Sequence, residues 1–179
     1  MAAILIVLIT SFFNLPIPYL AIHLLFINLL TDGFPAIAIG MQEYSNDLLD
    51  SYPRKKEEHI LSKKLIFVII LEGILIFISC FCGYMRGLKI NVKTARTMSF
   101  SILCLSRLFH SLNCATRESV FHWNKINITL ILSLIIGALL INSVLFIPFL
   151  KELFVISELD FKLVMLIYSY SLLPTIIIQ

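Results

Sequence analysis

The sequence predicts an all-α integral membrane protein, a helical bundle of about six transmembrane segments, and three observations carry that expectation. The 179 residues are 59% hydrophobic, with a mean hydropathy of +0.97. Only 14% are charged, against about 25% in an ordinary soluble domain. The apolar residues also gather into runs of Ile, Leu, Phe and Val that approach the ~20 helical residues needed to cross a hydrocarbon core. At that spacing only helices satisfy their own backbone hydrogen bonds in lipid.

The first segment, 2–13, is short of a full span and stops at Asn14-Leu15-Pro16-Ile17-Pro18, where prolines oppose helix continuation. It reads as a helix truncated by the start of the chain. The second, 19–40, is interrupted near Asp32-Gly33, with Pro35 just beyond. The polar stretch 42–64 mixes Glu43, Asp47, Asp50, Glu57 and Glu58 with Arg54, Lys55, Lys56, Lys63 and Lys64, the pattern of a solvated loop. Segments 65–85, 97–114, 126–146 and 161–178 follow, all within one membrane domain, 1–179. Lys and Arg divide almost evenly between the two sides, with a slight lean towards a cytoplasmic 42–64 loop. Cys80, Cys82, Cys104 and Cys114 form no CxxC pair and lie in or at the end of apolar runs, as free thiols do.

Polar groups inside the apolar segments indicate where chemistry resides. Asn28, Thr31 and Asp32 stand at i, i+3 and i+4, one face of a helix. Gly33 and Pro35 then break the helix, and such breaks free backbone carbonyls where a site is lined. Amide, hydroxyl, carboxylate and carbonyl oxygens together suit a hard cation, Ca²⁺ or alternatively Mn²⁺. The competing expectation is a Pro-kinked helix whose Asp32 lies near the interface or pairs with a neighbour. Arg107, in mid-segment, needs a counter-charge, with Asp32 and Glu72 as candidates. It is expected either to modulate the site by occupying an ion position or to form a structural pair. Glu72 is expected to serve packing more than ligation, and His23 and His110 to bond between helices. The chain has no phosphate-cradling glycine loop and no nucleophile with a nearby base. Catalytic and cofactor-binding residues are therefore expected to be none, with no nucleotide site and no nucleic-acid partner.

The run Leu24-Leu25-Phe26-Ile27-Asn28-Leu29-Leu30-Thr31-Asp32-Gly33-Phe34-Pro35-Ala36 closely resembles the sixth transmembrane helix of calcium-type P-type ATPases. Asp47 to Arg54 resembles the cytoplasmic loop that follows it. Ala95-Arg96-Thr97-Met98-Ser99-Phe100 with Leu108-Phe109-His110-Ser111-Leu112-Asn113 resembles the eighth helix. The last two segments are compatible with helices nine and ten, so the likeness runs from the fifth helix to the tenth. It implies the membrane-embedded part of an ATP-driven cation pump, with Asn28, Thr31 and Asp32 on cation-ligand positions and Ca²⁺ as the transported ion. The implied partners are the bilayer and the N-terminal and cytoplasmic domains that phosphorylate and bind nucleotide, without which this chain is inactive. Two positions depart from the two-ion members: the fifth-helix glutamate falls on Ala3 and the eighth-helix glutamate on Arg107. That pattern implies a single-ion pump with Arg107 in the vacated position.

Two other classes compete. A free-standing accessory or binding protein descended from such a pump requires 2–13 to serve as a complete helix. A small secondary transporter using Asp32 and Glu72 for proton coupling requires inverted-repeat halves, which the sequence does not show.

Overall fold

The computed structural model describes residues 1–31, 33–41, 63–115 and 128–178. Among the described residues the regular secondary structure is all helical, without strands. Asp32 and nearly all of the 42–64 loop lie outside them.

Helix α1, Ala2–Phe12, buries Ala2, Ile6 and Thr10, a stripe at i, i+4 and i+8. Thr10 folds its hydroxyl back onto the Ile6 carbonyl at 2.8 Å, which removes a polar group from the apolar surroundings. Asn14 then takes a left-handed conformation, φ 51°, which asparagine tolerates better than most residues, and the prolines carry the chain onward extended.

The second segment is built from three pieces: α2, Ala21–Phe26; a π-helical turn, Ile27–Thr31; and α3, Gly33–Gly40. The interruption therefore begins several residues before the expected Asp32-Gly33. Helices α4, Lys63–Leu88, and α5, Val92–Ala115, form a hairpin. Its turn is sharp because Asn91 caps α5, accepting the Thr94 N–H at 2.7 Å, so the helix starts well before the expected residue 97. Gly87 also lets the α4 backbone lie directly on Ala95; a Cβ there would come within 2.6 Å of the Ala95 Cα. Helix α6, Ile128–Phe146, is followed by a short α7, Pro148–Leu153, and by α8, Phe161–Ile178.

Among the described residues, four units are long and apolar enough to cross a bilayer: Ala21–Gly40, Leu65–Leu88, Ile128–Phe146 and Phe161–Ile178. Helix α1, with 11 residues, is a shorter apolar helix. Helix α5 has 24 residues, about 36 Å at 1.5 Å per residue, but is the most polar of the long helices. It occupies the centre, packed against α4, α8, α6 and the π turn–α3 unit. Its buried residues alternate bulk with small hydroxyls: Met98, Phe100, Ile102, Leu103, Leu105 and Leu108 beside Thr97, Ser99, Ser101 and Ser106. Small polar residues suit helix contacts in lipid, where apolar burial gives little advantage and close approach and hydrogen bonds do the joining. Ser106 donates to the Ser171 carbonyl and Asn113 to the Thr175 carbonyl at 3.0 Å, flanking Pro174 within α8. Gly137 of α6 lets Leu108 seat against its backbone. The large apolar side chains of the outer helices, Leu65 to Leu71 among them, remain exposed, as a lipid-facing surface requires.

Candidate functional site

Both ends of the interrupted helix are anchored. Ahead of it, Tyr19 shares a 2.8 Å hydrogen bond with Ser99 of α5. Arg96 donates to the Ile17 carbonyl at 2.8 Å, and Tyr84 donates to the carbonyl of Pro16. His23 is fully buried. Its Nδ1 accepts the Leu20 N–H, which leaves Nε2 as the donor to the Phe154 carbonyl at 2.7 Å. The ring stacks on Phe100 with centroids 4.6 Å apart. A short run after α7 is thereby tied to the start of α2, and Thr97 Oγ1 reinforces it by accepting the Ser157 N–H. Within that run Val155 holds φ 52°, a conformation costly for a β-branched residue that persists only when its surroundings enforce it. Beyond the break, α3 buries Pro35 and Ala38 and packs on α6 and α5.

Between these anchors the backbone opens into the π turn. A π turn carries one more residue per turn than α-helix, and such turns recur at functional sites. Asn28 sits within it and is exposed. Thr31 closes it, while the Thr31 side chain and all of Asp32 lie outside the described residues. Of the three expected cation ligands, Asn28 alone therefore has a described side chain.

Arg107 lies half-buried on α5 and lines a cavity of about 380 Å³. Pro35 and Ala36 of α3 line the same cavity, as do Glu72 of α4 and His110, Ser111 and Cys114 of α5. The interrupted helix, Arg107 and Glu72 thus border one space. Glu72 Oε2 lies 3.5 Å from His110 Nε2, joining α4 to α5, and Cys114 Sγ lies 3.4 Å from the same nitrogen. The His110–Cys114 pair was legible as an i, i+4 spacing that the sequence reading passed over. His110 thus meets the expected neighbouring helix, whereas His23 ties α2 to the run after α7. Among the described residues no three His, Cys, Asp or Glu side chains converge on a metal position.

The sequence matches the family profile for the cation transporting ATPase C-terminus over residues 16–179. The chain belongs to this family. The match sets the helices in a known context: this is an integral, multi-pass membrane protein of the cation-transporting ATPase C-terminal family. Among its relatives, the calcium-transporting ATPase of Bacillus subtilis is 31% identical over 98% of this chain and 20% of that protein. Calcium-transporting ATPase 1 of Lactococcus lactis is 33% identical over 76% of the chain and 16% of its own length. Calcium-transporting ATPase type 2C member 1 of Homo sapiens is 30% identical over 89% and 18%. The chain spans about a fifth of the length of the curated relatives it matches. It corresponds to the expected C-terminal membrane region of calcium-type pumps.

Proposed function

We propose that this chain is the membrane-embedded, ion-conducting part of an ATP-driven calcium pump. In this reading Asn28, Thr31 and Asp32 present amide, hydroxyl and carboxylate oxygens to the ion. The observation that carries the proposal is the π turn Ile27–Thr31, held between a buried His23 and a buried Pro35 at the expected ligand run. A rigidly anchored wide turn suits oxygen ligation because it offers backbone carbonyls that a continuous helix would keep for itself. Calcium needs six to eight oxygens, so helices outside this chain complete its shell. ATP hydrolysis belongs to domains outside this chain as well, and the chain alone is inactive. Calcium is favoured over Mn²⁺ because the relatives named above are calcium-transporting. Arg107, bordering the same cavity as Pro35 and Ala36, supplies a built-in positive charge where a second ion would otherwise sit.

The test joins this chain to its phosphorylating and nucleotide-binding domains and follows calcium-dependent phosphorylation. Asp32→Asn should abolish it, and a fully active variant would remove Asp32 from the ligand set. Arg107→Glu should change the number of ions moved per ATP. An unchanged ratio would leave Arg107 a structural role only.

A further inference from the structure

A second cavity, of about 670 Å³, opens at the other end of the α4–α5 hairpin, away from the cation site and independent of it. Its volume falls within the roughly 300–1,000 Å³ of small-molecule sites. Arg86 lines it from the last turn of α4, Lys89 from the turn that follows, and Lys162 from the first turn of α8. Glu158 and Asp160 line it from the link before α8. No ion pair joins any two of these five charged groups. The neutral wall has its hydrogen bonds made internally. Thr94 and Ser157 share one at 2.9 Å, and Asn91 caps Thr94. Charges of both signs are thus held around one space by a fixed wall and left unspent on each other.

The cavity's position indicates what fills it. It lies where the spans Leu65–Leu88 and Phe161–Ile178 end, the level at which hydrocarbon gives way to head groups. Ile90, Leu163 and Leu166 continue its lining with apolar surface. Ile90 and Phe161, 57% and 69% exposed, flank it. A purely anionic head group would meet Glu158 and Asp160 unfavourably. A choline head group has no N–H to give them. A head group with a phosphate for Arg86, Lys89 and Lys162 and a primary ammonium for the two carboxylates satisfies both sets.

We propose that this cavity binds a membrane phospholipid of the phosphatidylethanolamine class. Native mass spectrometry of the purified 179-residue chain, exposed to equal amounts of phosphatidylethanolamine, phosphatidylcholine and phosphatidylglycerol, provides the test. Phosphatidylethanolamine should be retained roughly fivefold or more over either competitor, as expected for additional charge-assisted hydrogen bonds. The triple variant Arg86→Gln, Lys89→Gln, Lys162→Gln should lower that retention roughly tenfold, and Lys151→Gln, outside the cavity, should leave it unchanged. The double variant Glu158→Gln, Asp160→Asn should erase the preference over phosphatidylcholine, with circular dichroism reporting that each variant stays helical. Equal retention of the three lipids, or preference for phosphatidylglycerol, overturns the proposal. So does displacement by an equal concentration of glycerophosphoethanolamine, which would make this a site for a soluble ligand.

Discussion

Gly33, Gly83 and Gly87 lie at three kinds of place, and what an added methyl would meet at each separates them. At Gly87 it meets the Ala95 backbone, 2.6 Å from Cα and 2.7 Å from N, and neither helix can yield without opening the hairpin. At Gly83 it meets the Cδ1 of Ile102, the tip of a side chain that can turn aside. At Gly33 nothing lies within 4 Å. Gly87→Ala should therefore cost about 3 kcal/mol, the upper part of the overpacking range, and Gly83→Ala about 1 kcal/mol. Gly33→Ala should leave packing unchanged. Thermal unfolding in detergent ranks the three, and equal losses at Gly83 and Gly87 would contradict the backbone contact. His23→Phe keeps the ring on Phe100 but strands the Phe154 carbonyl and the Leu20 N–H. By the same assay it should destabilise the chain by about 2 kcal/mol.

At the scale of elements, the interrupted helix is the feature most open to test. Deleting Leu29, exposed within the π turn, removes the extra residue and lets α2 run into α3 as continuous helix. The chain should still fold, because His23, Pro35 and Ala38 keep their buried faces. In the complete pump, calcium-dependent phosphorylation should fall at least roughly tenfold, the scale of a disturbed ligand set. Undiminished phosphorylation would show that the wide turn is dispensable. That this segment is interrupted was legible, but Gly33 and Pro35, which signalled it, lie inside α3, and the π turn ahead of them was not legible. Ile27, Asn28, Leu29, Leu30 and Thr31 carry no local signal for it, and it follows from anchoring at both ends, which is a tertiary constraint. The central place of α5 was equally hidden. Apolar periodicity locates a buried face in water, whereas in lipid the apolar faces turn outward and the Ser/Thr-rich helix goes inside. The proposed ligand run was nameable from residue types alone, while its geometry turns on Asp32, outside the described residues.

At the scale of the molecule, two thiols report on the whole bundle. Cys80 and Cys104 carry fully buried thiols, whereas those of Cys82 and Cys114 are exposed. In a Cys82→Ala, Cys114→Ala variant, a membrane-permeant maleimide fluorophore should react only as the bundle melts. Substantial labelling below the melting transition would show that α4, α5 and α8 do not pack as described. The same packing bears on how the protein is made. Helix α5 carries Lys93, Arg96 and Arg107, and a basic residue near mid-helix costs about 2.5–3.5 kcal/mol on translocation-based scales. Synthesised by itself, it would be released to water instead of partitioning into lipid. Helix α4, far more apolar, has no such difficulty, and only the short turn around Lys89 to Asn91 separates the two. During synthesis α4 must therefore linger at the insertion machinery until α5 has emerged, and the pair must enter together as a preformed hairpin.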